Sequence, residues 1–289
     1  MKIAVTGSNG LIGKSLVEEL KKRRIDVIEC DKNNCNILNF SKLKSRLKGA
    51  NVVIHCAAQL DENAKNLFEV NVKGTENVLE ASAVNHVEQF IFLSSVGVYG
   101  ATKGVKTEKT KPQPVTNYEK SKFLAEQKVL SYQEMFHTTI LRPAIVIGKN
   151  KYWKKIIKLV KKGFPLIGNG KNKWQTVCDE DVVSAIIFCV NNENCLGETF
   201  IVAERNPISL KELVNFIRSE SGLKGSVFCI PEFVGFFFAK INKFVNIVPM
   251  LNTAYVNRLL KERIYSTKKL EAIGWKAKFY AKDCIRKII

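Results

Sequence analysis

No two of the eight cysteines stand as a C-x-x-C pair, and only His55, His86 and His137 are available to join them as soft ligands. A structural zinc site, which needs four such groups at close spacing, is therefore not expected, and no metal is assigned. Proline and glycine are also scarce, at 7 and 17 of 289 residues, which excludes a collagen-like chain or a low-complexity linker. With 46% of residues hydrophobic, a disordered chain is excluded too. No apolar run approaches the ~20 residues needed to span a bilayer. The greasiest stretch, Phe233 to Ala239, is seven residues long between Glu232 and Lys240. The N-terminus, Met1-Lys2-Ile3-Ala4-Val5 before Gly7, is too short for a signal-peptide apolar core. The expectation is a cytoplasmic protein with reduced thiols.

Acidic charge is short as well: 27 Asp and Glu against 46 Lys and Arg leave a net charge of +19. Arginine is the rarer cation, nine of those 46. Bidentate reading of bases and phosphates favours Arg, whereas Lys serves as a hydrated surface charge. The excess therefore reads as a solvated Lys-rich surface or a site for a polyanionic small ligand, with no nucleic-acid partner.

What is present is a rhythm. Apolar runs at Ile3-Ala4-Val5, Val27-Ile28, Val52-Val53-Ile54, Phe90 to Leu93 and Ile140-Leu141 alternate with segments of helical periodicity. Continuous apolar strands imply burial on both faces, hence a parallel sheet between helices. After Gly148 come a Lys-rich helix (Tyr152 to Lys162), a turn at Gly168-Asn169-Gly170, a helix from Asp181 to Val190 and a strand at Thr199 to Val202. From Ser209 onward only helices are expected, the first opened by a capping box of Ser209 and Glu212. The fold class is α/β: a doubly wound parallel Rossmann sheet with a smaller, mainly helical C-terminal substrate domain. Residues 1–147, with 174–203 returning, form the nucleotide domain; 148–173 and 204–289 form the cap.

Two constellations carry chemistry. Thr6-Gly7-Ser8-Asn9-Gly10-Leu11-Ile12-Gly13 follows the first strand and opens a helix, where glycines bring backbone amides against a pyrophosphate at the helix N-terminus. Asp31 ends the second strand, placed to bind the adenosine ribose hydroxyls and to repel a 2′-phosphate. NAD is expected over NADP, with Lys32 next door pulling the other way. The second constellation is Tyr118 and Lys122, four residues apart on one helix face. A phenol whose pKa is lowered by an ammonium and a cationic nicotinamide can exchange a proton with an alcohol while hydride moves to the cofactor. Ser94 and Ser95 end the strand before it, where a hydroxyl can hold the substrate oxygen.

On these motifs the sequence resembles the extended short-chain dehydrogenase/reductases, the superfamily of NAD-dependent nucleotide-sugar epimerases, dehydratases and reductases. T-G-x-x-G-x-x-G stands at Thr6 to Gly13, Ala-Ala at Ala57-Ala58, N-V-x-G-T at Asn71 to Thr75, S-S-x-x-V-Y-G at Ser94 to Gly100, Y-x-x-x-K at Tyr118 to Lys122 and R-P-x-x-V-x-G at Arg142 to Gly148. The resemblance implies Tyr118 as catalytic acid/base, Lys122 as anchor of the nicotinamide ribose that lowers the Tyr118 pKa, and Ser95 as the residue orienting substrate, with Ser94 as the fallback. It implies NAD contacts from Gly7, Asn9, Gly10, Leu11, Ile12, Gly13, Asp31, Lys32, Asn36, Ile37, Ala57, Ala58, Asn71, Ser94, Tyr118, Lys122 and Pro143.

Departures from the family narrow the substrate. Its Asp-Ile/Leu contact to adenine appears as Asn36-Ile37, which keeps an acceptor without charge. Its dehydratases carry Asp-Glu after the catalytic hydroxyl, where this chain has Val96-Gly97, so 4,6-dehydration is not expected. The Asn and Arg with which UDP-galactose 4-epimerases grip the nucleotide diphosphate are missing, at Ile145 and near Trp174, and Lys171 or Lys173 is the candidate replacement. The reading is an NAD-dependent nucleotide-sugar epimerase or 4-keto reductase. A reductase of a non-nucleotide ketone or alcohol, of the 3β-hydroxysteroid or dihydroflavonol type, is the alternative, and a non-catalytic dinucleotide- or nucleic-acid-binding protein is the third. A homodimer is compatible with the sequence but not specified by it. Finally, Phe233, Phe236, Phe237, Ile241 and Phe244 recur at helical spacing beside Lys240 and Lys243. They are expected to pack on the nucleotide domain, with no stable membrane binding.

Overall fold

The short apolar runs become neighbours in one sheet. The computed structural model describes residues 1–100, 102–245 and 251–289. In it β1 (Lys2–Thr6), β2 (Asp26–Cys30), β3 (Val52–His55), β4 (Gln89–Leu93), β5 (His137–Pro143) and β10 (Thr199–Val202) form a parallel sheet in the order β10-β5-β4-β3-β1-β2. Alternate residues of β1 serve opposite faces. Ile3 and Val5 pack with Leu16 of α1 (Leu11–Lys22) and Ile186 of α6 (Asp179–Cys189). Ala4 packs with Leu43 of α2 (Phe40–Arg46), Leu79 of α3 (Gly74–Val84) and Val129 of α4 (Asn117–Leu130). Strand order reverses between β1 and β3, and a crevice at such a switch point is where this architecture takes its ligands.

After β5 the chain leaves the sheet. β6 (Ile145–Ile147) pairs with β9 (Thr176–Cys178), and between them lie α5 (Lys151–Lys161), β7 (Leu166–Ile167) and β8 (Lys173–Trp174). Beyond β10 follow β11 (Ile208–Ser209), α7 (Leu210–Glu220), β12 (Cys229–Ile230), α8 (Glu232–Val245), α9 (Thr253–Leu260), α10 (Lys268–Ala272) and α11 (Ala281–Arg286). Buried carboxylates fasten this cap to the sheet. Glu204 accepts from Thr176 N at 3.1 Å and Ala281 N at 2.9 Å, and Asp181 accepts from Lys278 N at 2.9 Å and Phe279 N at 3.0 Å. Among the described residues no helix is long and apolar enough to cross a membrane, and no group of three or more His, Cys, Asp or Glu is placed to hold a metal.

Several expectations are corrected. The segment after Ser209 is not helical throughout: β12 pairs with β7, a two-residue strand too short to leave a periodic signal. Ser209 caps α7 through Glu212 N at 3.1 Å, but the Glu212 carboxylate turns to Lys282 at 2.7 Å instead of closing a capping box. Tyr265, Leu270 and Trp275, placed by sequence in the cap, pack in the same core as Ile3 and Leu16. Cys178 and Cys284 form a disulfide, because β9 and α11 bring their Cα atoms to 5.8 Å, whereas all eight thiols were expected reduced. Nor does the Phe-bearing helix lie on the nucleotide domain: Phe236 of α8 packs against the cap cluster of Ile167, Ala239 and Val256, while Phe233 and Phe237 are 74% and 61% exposed. The side chains of Lys243 and Phe244 lie outside the described residues.

Candidate active site

The end of β1 turns at once into a cradle. Gly7 adopts φ +71°, and a Cβ there would stand 2.7 Å from the Ala57 backbone; at Gly13 it would stand 2.1 Å from the Gly7 carbonyl oxygen. Only glycine permits these approaches. Helix α1 begins at Leu11 with no side-chain cap and no acidic residue in its first turn, so its amides and partial positive charge face the loop. Ser8 Oγ is buried in that loop with no hydrogen-bond partner among the described residues. An orphaned donor, uncapped amides and a glycine cradle fit the pyrophosphate of a dinucleotide.

Asn9 and Asp31 are brought together: Asn9 Nδ2 donates to Asp31 Oδ2 at 2.5 Å, while Asn33 N and Asn34 N hold Oδ1 at 2.6 and 2.9 Å. The carboxylate is thus oriented at the sheet edge where a ribose would lie. Lys32 beside it is exposed, and Asn36 Oδ1 accepts from Leu38 N at 3.0 Å. Ile37 is a core residue, its carbonyl taken by Asn77 and its side chain pressed on Gly74. Ala58 follows Ala57 beside Gly7, and Pro143 ends β5. Asn71 is held by the protein itself. Its amide donates to Gln59 O and to Ser121 Oγ at 2.9 Å and accepts from Gln59 N, and Ser121 donates to the Tyr118 carbonyl at 2.8 Å. Asn71 therefore positions the first turn of α4.

That turn is fixed locally too. Thr116 Oγ1 accepts from Glu119 N at 3.3 Å and Glu119 Oε2 accepts from Thr116 N at 3.0 Å, a reciprocal capping box. Tyr118 is half-buried, and burial, with Glu119 adding, pushes its phenol up to about 12. Lys122, four residues further along α4, is buried, donating to the Leu93 carbonyl at 2.7 Å and lying 4.2 Å from the Phe92 ring centroid. Burial lowers its ammonium to about 8, opposed by Glu126 and Cys56. In the protein alone the phenol is governed by desolvation, and the Lys122 ammonium donates to the Leu93 carbonyl.

The two serines separate. Ser94 Oγ donates to Glu126 Oε1 at 2.5 Å in a buried network where Arg142 grips Glu126 through Nε at 2.9 Å and Nη2 at 2.6 Å and donates to Tyr99 OH at 2.8 Å. Ser95 Oγ accepts from Gly97 N at 3.0 Å, which leaves its proton to donate. A Cβ on Gly97 would meet Glu119 Cγ at 3.1 Å and Ser95 Oγ at 3.2 Å, so the Ser95 segment lies against the turn that carries Tyr118.

Two arginines that no motif flagged complete the site. Arg258 pairs with Glu62 at 2.7 Å, and the Glu62 carbonyl accepts from Asn117, the neighbour of Tyr118, at 3.5 Å. The Arg263 guanidinium lies 5.0 Å from the Trp174 ring centroid and donates to the Arg258 carbonyl at 3.4 Å. Arg258 Nε, Arg263 Nε and Trp174 Nε1 are buried without a partner among the described residues. Unsatisfied N–H donors on two guanidinium groups beside an indole N–H suit an anion. The expected replacements, Lys171 and Lys173, are exposed. Spacing offered no signal for Arg258 and Arg263, because more than eighty residues separate them from Trp174.

Residues 3–203 match the NAD dependent epimerase/dehydratase family. A UDP-glucose 4-epimerase of Vibrio cholerae is 29% identical, over 73% of this chain and 73% of that protein. The N-acetyl-alpha-D-glucosaminyl-diphospho-ditrans,octacis-undecaprenol 4-epimerase of Escherichia coli O157:H7 is 26% identical, over 73% of this chain and 70% of that protein. The structure of Thermotoga maritima UDP-glucose 4-epimerase with UDP-glucose superposes with a TM-score of 0.82 at 20% identity, covering 100% of this chain and 97% of that one, a likeness of fold.

Proposed function

The chain belongs to the NAD-dependent epimerase/dehydratase family, and on that footing we propose that it is an epimerase or 4-keto reductase of diphosphate-linked sugars, nucleotide sugars among them. Bound NAD supplies hydride acceptance and return at a sugar carbon. The chain's own residues handle the proton and the alignment. Ser95 donates a hydrogen bond to the sugar oxygen, and Tyr118 takes the hydroxyl proton or gives it to the ketone. Lys122 holds the nicotinamide ribose from its seat on Leu93, and Asp31 with Asn9 holds the adenosine ribose. Elimination of water has no supporting group, since Val96 and Gly97 follow Ser95.

The observation that carries this reading is the pair Arg258 and Arg263, joined through Glu62 and Asn117 to the turn that bears Tyr118. Their unpartnered donors suit the group shared by the substrates named for the two relatives, a sugar diphosphate. They also stand in for the arginine missing near Trp174. The test is native mass spectrometry for retained NAD, followed by exchange of deuteride from labelled NADH into UDP-sugars and their 4-keto forms. Tyr118→Phe should lower exchange by roughly 10²–10⁴-fold with NAD affinity nearly unchanged, because only one hydroxyl is lost. Exchange surviving in Tyr118→Phe would refute the assignment.

A further inference from the structure

The cap encloses a second space that the hydride chemistry does not use. It measures about 520 Å³ and lies between α5, α7, α8 and α9, lined by residues such as Trp153, Leu159, Ile167, Leu213, Ile217 and Phe238. The lining is carbon almost throughout. Asn242 in its wall donates to the Leu251 carbonyl at 2.8 Å, and Trp153 Nε1 donates to the Val146 carbonyl at 2.8 Å. Trp174 and Tyr255 also line it, and Trp174 marks the end shared with the arginines: the Arg263 guanidinium lies 5.0 Å from its ring centroid, and Arg263 in turn donates to the Arg258 carbonyl. Cavity residues Phe238 and Ile241 are 51% and 41% exposed, on the helix that also displays Phe233 and Phe237.

A nucleobase presents several donors and acceptors, and each one buried unpaired is destabilising. A hydrocarbon chain asks for no partners, and its burial is favourable in proportion to the apolar area removed from water. We infer that the cap cavity binds the apolar chain of a polyprenyl-type diphosphate, with Arg258 and Arg263 on the diphosphate and the sugar directed toward Tyr118. The inference rests on the sugar-diphosphate reading above and names its carrier: a long apolar alcohol in place of a nucleoside. Exposed Phe233, Phe237 and Phe238 then flank the entrance for a substrate delivered from a lipid phase. No lasting attachment of the enzyme to a membrane is required.

Farnesyl diphosphate is the probe, titrated into the full chain with NAD present and read by calorimetry and by quenching of Trp153 and Trp174 fluorescence. Expected is affinity at least ~10-fold above that of inorganic pyrophosphate and of UDP, since only the farnesyl chain can use the cavity. Phe238→Asp, on an exposed position that should not disturb folding, should remove that advantage while leaving pyrophosphate and NAD binding unchanged. Ile241→Asp is the second variant should the first prove unstable. Arg263→Gln should weaken both diphosphates. UDP binding as tightly as farnesyl diphosphate, or farnesyl affinity unaffected in Phe238→Asp, would overturn the inference. If UDP-sugars then exchange deuteride, the proposed function stands without the lipid carrier; if no diphosphate binds at all, both fall.

Discussion

Glu126 and Arg142 form a bidentate pair, Nε to Oε1 at 2.9 Å and Nη2 to Oε2 at 2.6 Å, out of reach of solvent between the catalytic helix and β5. Glu126 stands one turn beyond Lys122 on α4, so the pair sets how that helix meets the sheet edge. Removing one partner of a buried pair strands the other charge, at a cost of about 3–5 kcal/mol. Glu126→Ala is therefore expected to lower the urea midpoint sharply and, in whatever remains folded, to reduce kcat by displacing α4. An unchanged midpoint would mean that the pair carries no net weight.

Ser94 and Ser95 should respond oppositely. Ser94→Ala removes a hydrogen bond to Glu126 in the interior and should cost about 1–3 kcal/mol in stability with little effect on the chemical step. Ser95→Ala loses the donor to the sugar oxygen and should lower kcat by about 10²-fold, with a smaller stability loss of about 1 kcal/mol from the lost cap on Gly97 N. Paired denaturation and turnover measurements decide it, and a reversal of the two effects would exchange their roles.

His55 is fully buried, its Nδ1 at 2.6 Å from Thr6 Oγ1 and its Nε2 at 2.9 Å from Thr75 Oγ1. Burial, with the Lys122 charge adding, lowers it to about 3 from its ordinary 6.5. The unfolded chain takes up this proton first, so stability falls as pH drops from 6.5 toward 3, by at most about 1.4 kcal/mol per pH unit. His55→Gln should flatten that limb between pH 6.5 and 4 in urea titrations. An equally steep limb in the variant would move the acid sensitivity to other groups.

Cofactor choice should follow Asp31. Its carboxylate, held by Asn9, Asn33 and Asn34, meets a 2′-phosphate with like charge. Calorimetry should give NADH at least ~10-fold tighter binding than NADPH, and Asp31→Ser should narrow the gap, helped by exposed Lys32. Equal affinities in the unaltered protein would be fatal to the assignment.

The parallel sheet, the glycine cradle from Gly7 to Gly13 and the Tyr118–Lys122 pair were all readable from the chain alone. Each is written in contiguous residues or in a local period, so its chemistry travels with its sequence spacing. Ser94 and Ser95 are adjacent and chemically identical, and only the arrival of Glu126 from α4 and Gly97 from the following turn separates a buried structural hydroxyl from one free to donate. Arg258 and Arg263 carry no motif, and their meaning comes from Trp174 and Glu62, neighbours remote in sequence that packing alone supplies. The same holds for α8: its helical Phe spacing is compatible with core or with surface. Periodicity says which residues share a face, but which face finds a partner depends on what the rest of the chain has already covered, and here the cap covers Phe236 and leaves Phe233 and Phe237 outside.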